Sequence, residues 1–201
     1  MLKIIICYLI VVFTTFSVVL NTKDVNLDKN LDGEYIINEY KGIAKVISIP
    51  SKINGNAISK IEDAYFNTEN NDYTGCFIKK GLIEVSFSEG IYSIGEGSFL
   101  KNNIKKIILP SSLNYIRKNA FSNNQIEEII FPEYLYTIGD SAFSNNKLTK
   151  IIFPPNVTYI GEKAFLNNML TTIIFPDSIK SLEDNVFEGN NISNITIGNN
   201  V

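Results

Sequence analysis

Phenylalanine recurs at Phe99, Phe121, Phe143, Phe165 and Phe187, each 22 residues from the last. A fixed period of this length means one supersecondary unit per period, stacked on its neighbours, and it excludes most other folds at once. Further columns keep the same step: Pro110, Pro132, Pro154 and Pro176; Ile94, Ile116, Ile138, Ile160 and Leu182; Asn102, Asn124, Asn146, Asn168 and Asn190. In the unit 126–147, Ile129 and Phe131 alternate with Glu128 and Ile130, the period of a short strand, and Pro132 closes it. Leu135 and Ile138 then lead through Gly139 into Asp140-Ser141-Ala142-Phe143, where one helical turn packed inward is expected, and an Asn-Asn corner returns the chain to the next strand. No single unit can bury Ile126, Ile129, Phe131, Leu135, Ile138, Ala142 and Phe143 alone, so neighbouring units share one core. The expected fold is a repeat solenoid, with short parallel strands on one face and short second strands or helical turns on the other.

The rest of the chain divides around this array. Lys3 precedes an apolar run from Ile4 to Leu20, so residues 1–22 read as a signal peptide or N-terminal anchor. Residues 23–43 read as a cap hairpin, 44–81 as an irregular first repeat with an inserted loop at 67–80, and 82–201 as the regular repeats, the last one incomplete. Asp28, Asn30, Asp32, Gly33 and Glu39 fit the spacing of a twelve-residue calcium loop. That loop needs flanking helices, whereas Tyr35-Ile36-Ile37 after an Asp32-Gly33 turn reads as a strand, so a hairpin with no metal is the expectation.

Composition removes whole classes of chemistry. With 18 basic against 21 acidic residues the net charge is -3, which offers no broad positive face for nucleic acid. Histidine is absent and the cysteines are Cys7 and Cys76, so Ser-His-Asp and Cys-His catalysis, ordinary zinc sites and a disulfide framework all fall away. Glu127 and Glu128 are adjacent on a strand and point to opposite faces, a poor acid and base pair. The expectation is no enzyme and no cofactor, with Cys76 a lone buried thiol beside Phe77 and Ile78.

The pattern Leu-x-x-Ile-x-Phe-Pro, then Ile-Gly-x-x-Ala-Phe-x-x-Asn, resembles the BspA-like leucine-rich repeats of bacterial and some protist surface proteins. Tyr40-Lys41-Gly42, Ile49-Pro50 and Ile53-Asn54-Gly55 look like the opening of such arrays, and the resemblance covers roughly residues 35–201. It implies a leucine-rich-repeat-like solenoid, secreted or held at the cell surface, with an adhesion-type role and no shared catalytic residues.

Three columns are candidates for function. The Asn column reads as a structural corner whose amides bond backbone groups of their own and adjacent coils. Glu84, Lys106, Glu128 and Lys150 alternate in sign down the strand face, which suits a solvated ladder fixing register. Beside them Ile108, Ile130, Ile152 and Ile174 form an apolar stripe opposite the core residues. Such a row either shelters beneath Lys and Glu stems or binds a partner. The site expected from sequence is this stripe with Glu128 and Lys150, on a concave sheet that takes a protein or glycan; the alternative is a spacer, or a fragment of a longer array, without a ligand. The strand Ile192 to Ile197 has no cap after it, so an end-to-end homodimer through that coil is also expected.

Overall fold

The computed structural model describes residues 17–29, 33–69, 71–179 and 181–197. Among these there are short strands and no helix, and so no helix long and apolar enough to cross a membrane. A first sheet runs Val18–Val19, Val46–Ile49, Glu84–Phe87 and Lys106–Ile108, all parallel. A second runs from the antiparallel pair Val25–Lys29 and Tyr35–Tyr40 into parallel Asn56–Ile61, Ser93–Ile94, Tyr115–Ile116, Thr137–Ile138 and Tyr159–Ile160. Consecutive regular units pair in register at a 22-residue offset, Ile116 with Ile138 and Ile138 with Ile160. Thr172–Ile174 and Asn194–Thr196 form a further parallel pair.

All seven apolar columns of the unit 126–147 are buried, and they belong to one core that runs the length of the solenoid. Phe77, Phe99, Phe121, Phe143, Phe165 and Phe187 stack along it, ring on ring, at 4.8 to 5.7 Å. The segment Asp140–Phe143 is a pair of tight turns where a helical turn was expected. Ala142 N–H donates to Gly139 O and Ser144 N–H to Ser141 O, while the N–H groups of Ser141, Phe143 and Asn145 go to the next coil. Giving those donors to a neighbour leaves none for an i to i−4 ladder. Ser141 and Asn145 take left-handed φ values of 53° and 54°, as do their equivalents in other coils, which is why asparagine and glycine are frequent there.

The Asn corners are clamps between coils. Asn146 Nδ2 donates to Phe143 O of its own coil (3.1 Å) and to Phe121 O of the preceding one (3.0 Å), and its Oδ1 accepts from Ile126 N–H (3.1 Å). Asn102, Asn124, Asn168 and Asn190 repeat the arrangement.

Two N-terminal segments carry strands where the sequence reading placed none. Val18 and Val19 pair with Ile47 and Ser48, Leu20 N–H donates to Ser48 O (3.0 Å), and the Leu20 side chain is 2% exposed in the core. Val18–Leu20 fall within the segment expected to be a leader or anchor; the remainder of that segment, residues 1–16 with Cys7, lies outside the described residues. Leu20→Asn is expected to place an unpaired amide in the core and cost about 2 kcal/mol, read by thermal or urea unfolding. A variant as stable as the parent would show that Val18–Leu20 are not part of the folded unit.

The stretch read as a loop at 67–80 contains a hairpin, Tyr65–Asn67 against Asp72–Thr74. Asp72 ties it to the body by accepting from Lys79 and from Lys101 (3.3 Å). Hydrogen bonds from Lys79 first, then from the Tyr73 amide and Lys101, hold its carboxyl down at about 2. Cys76 is buried next to this hairpin, and burial pushes its thiol well above the usual range.

Of the residues that fit a calcium loop, Asp28 and Glu39 lie in an antiparallel pair, Asp28 opposite Ile36 and Glu39 opposite Asn26. Asp28 accepts from Asn38 and Glu39 from Asn26, so both carboxylates serve the hairpin. Asn30 and Asp32 lie outside the described residues, and among those described no cluster of three or more His, Cys, Asp or Glu could hold a metal.

Candidate interaction surface

Ile108, Ile130, Ile152 and Ile174 are 48, 88, 66 and 57% exposed, an unbroken apolar row across four coils. The strand pleat dictates this: Ile129, Phe131, Ile151 and Phe153 turn into the core, so their neighbours must face out. Lys106 beside the row pairs with Glu84 at 3.0 Å, on half-exposed side chains whose attraction is worth at most about 1 kcal/mol. Glu128 and Lys150 are exposed and form no ion pair with each other among the described residues, so the alternating ladder is only partly closed.

The stripe lies on the outward face of the first sheet's column of strands. Ring separations differ between the two Phe columns. Phe143 and Phe165 are 5.7 Å apart, whereas Phe131 and Phe153, nearer the stripe, are 6.3 Å apart and Phe153 and Phe175 6.0 Å. Across the core the second sheet keeps its parallel pairing through Ser93–Ile94, Tyr115–Ile116, Thr137–Ile138 and Tyr159–Ile160. The Ile-Gly motif sits on this tight side: a Cβ on Gly139 would lie 2.5 Å from Lys118 N, and one on Gly161 2.4 Å from Asp140 N. The coils stay paired at the second sheet and lose backbone pairing beside the stripe.

The first sheet is broken in the middle of the array. The last rung there is Thr149 N–H to Glu127 O (3.3 Å); beyond it no backbone hydrogen bond joins 128–131 to 150–153, although the same columns are paired at Glu84–Phe87 with Lys106–Ile108. The opening coincides with the run Phe131, Phe153, Phe175, whose stacked rings also pack edge-on against Phe143, Phe165 and Phe187. Ring packing of this kind tolerates spacings of about 4.5 to 7 Å and overrides the narrower backbone ladder.

Three grooves result, one between each pair of opened coils. They measure about 580, 580 and 600 Å³ and lie between Ile108 and Ile130, between Ile130 and Ile152, and between Ile152 and Ile174. Phe131 and Phe153 line the middle one, together with Pro154 and Pro155. Glu128 borders the first two and Lys150 the last two. Sequence reasoning found the row and its charged neighbours but missed the grooves, whose one visible signal was the uninterrupted Phe column.

The second sheet's outer face is different in kind, carrying exposed Tyr115, Tyr136 and Tyr159. Tyr159 donates to Asp140 at 3.3 Å. Among the last described residues, Ile195 within the strand Asn194–Thr196 and Ile197 after it are exposed.

A family model described as a BspA type leucine-rich repeat region matches residues 70–194 in 6 copies. The fold is similar to the T. pallidum leucine-rich repeat protein TpLRR, with 26% identity, a TM-score of 0.76, and coverage of 88% of this chain and 84% of that one. It is also similar to a leucine-rich cell surface protein of Faecalibacterium prausnitzii (23% identity, TM-score 0.60, 87% and 53% covered). The pneumococcal vaccine antigen PcpA is a third likeness (19% identity, TM-score 0.65, 90% and 51% covered). The chain spans about half the length of these last two. No curated protein matches the sequence.

Proposed function

Because the chain belongs to the BspA-type leucine-rich repeat family, matched over residues 70–194, we propose that it is a secreted or cell-surface module that binds a protein or glycan partner through the isoleucine stripe, without catalysis. The observation that carries this is the row of four exposed isoleucines continuous with three apolar grooves. A contiguous apolar surface of this kind is costly to leave in water and commonly marks an interaction site. A surface location is supported by the description of the F. prausnitzii relative as a cell surface protein.

The test uses an array of extracellular proteins and glycans probed with the protein and with an Ile130→Asp, Ile152→Asp variant. Both side chains are mostly exposed, so the melting temperature should stay put while binding to any genuine partner weakens at least about tenfold. Partners held equally by both proteins would place the binding surface elsewhere. End-to-end pairing through Asn194–Thr196 is proposed only for a chain in which no further coil follows Val201, and sedimentation at several concentrations reads it.

A further inference from the structure

We infer that the partner of the stripe is a second copy of this chain, docked face to face about a two-fold axis that passes between Ile130 and Ile152. This rests on the interaction reading above and names the partner. The argument is one of symmetry. Two identical chains close on one shared surface only when that surface is complementary to itself after a half turn, residue i meeting j while j meets i. From coil to coil, one column of the first sheet's outward face is Ser86, Ile108, Ile130, Ile152, Ile174 and Thr196, two hydroxyls closing a row of four isoleucines. In reverse order the pattern is unchanged. A half turn about a line along the strands, midway between Ile130 and Ile152, therefore lays Ile130 on Ile152 of the second copy, Ile108 on its Ile174 and Ser86 on its Thr196.

The charges select this axis. Glu128 and Lys150 stand two residues before Ile130 and Ile152, and the residue between is buried in both coils, so carboxylate and ammonium share the outward face with the stripe and border the same groove. They form no ion pair with each other among the described residues, whereas Lys106 is held by Glu84 at 3.0 Å. The same half turn sets Glu128 on Lys150 of the second copy and Lys150 on its Glu128. One contact thus closes two ion pairs. Elsewhere on the face Lys106 meets Thr172, Glu84 meets Asn194, Glu127 meets Thr149 and Glu133 meets Pro155, so no like charges oppose each other. Other axes fail this test. A half turn centred on the coil of Ile130 would put Glu128 on Glu128, a costly like-charge contact, and one running along the solenoid would leave Glu128 and Lys150 over Pro132 and Pro154.

Sedimentation of the folded protein over a range of concentrations tests this. A reversible dimer is expected, because four coils present fewer than the about 20 to 30 residues a side of a standard interface. Glu128→Lys alone and Lys150→Glu alone should each weaken it at least about tenfold, since the two-fold axis makes every like-charge contact twice. An equimolar mixture of these two variants should associate as the parent does, for one then supplies both ammonium groups and the other both carboxylates. Both residues are exposed, so the melting temperature should not move in either variant. Single changes that leave the dimer intact, a mixture no better than either variant alone, or a parent that stays monomeric overturns the proposal. If the parent is monomeric and the Ile130→Asp, Ile152→Asp variant still loses a partner on the array, self-recognition falls while the stripe remains the surface for a different protein or glycan.

Discussion

Asn146→Leu is expected to destabilise the protein by about 3 kcal/mol in equilibrium unfolding. The figure follows from counting partners. Ile126 N–H would be left buried with no acceptor, at about 1 to 3 kcal/mol, and two good hydrogen bonds from Nδ2 would be lost at about 0.5 to 1.5 kcal/mol each. The two carbonyls are not orphaned, since Phe121 O keeps Asn124 and Phe143 O keeps Asn168. Asn146→Asp provides a sign check with pH. Its carboxyl would face two carbonyls in a buried position, so its folded pKa would be raised. The stability of that variant should be highest in acid, where the group is protonated and can donate, and should fall as pH rises through that folded pKa. A leucine variant within about 0.5 kcal/mol of the parent would show that the corner amides are not clamps.

Phe143→Ala should have the other large effect, about 3 to 5 kcal/mol, because the ring is fully buried and in contact with Phe121, Phe165 and Phe131 at 5.5, 5.7 and 5.6 Å. For a chain of this size that corresponds to a fall of about 10 °C or more in melting temperature. Its position matters as much as its size. Each coil contacts only its neighbours, so a defect in the middle weakens the coupling between the two halves. Calorimetry of the variant should show a broadened transition or two, whereas a single sharp transition at the parent temperature would contradict a nearest-neighbour solenoid.

Much of this arrangement was legible because the repeat makes every inference several times over. The seven buried columns, the inward Phe and the corner Asn each follow from a residue type recurring where only one environment suits it. What escaped has a common cause, namely properties set by small differences between coils rather than by any one coil. The opening of the first sheet is such a property. Ile130 faces outward in any register, but whether its strand bonds to the next coil differs along the array: the equivalent columns are paired at Glu84–Phe87 with Lys106–Ile108 and unpaired at 128–131 with 150–153, where Phe131 and Phe153 stack at 6.3 Å. Val18–Leu20 escaped for another reason, since valine and leucine serve a leader and a buried edge strand equally well. The hairpin at Tyr65–Thr74 is short and polar, and its pairing is declared only by Asp72 reaching Lys79 and Lys101.

The Asn clamps also govern how such a chain can change in length. Every bond they make spans a fixed offset, 2 or 3 residues within the corner and 20 or 25 back along the chain. Unequal recombination that duplicates or deletes one whole 22-residue unit gives each remaining asparagine a new partner of the same kind, so no bond is lost at the junction. A gain or loss of one residue inside a strand has the opposite outcome, because it turns the core face outward and displaces the clamp together. The gene is thus free to grow or shrink by units while being held rigid within them, and each added unit of the Phe131 type would lengthen the row of grooves by one.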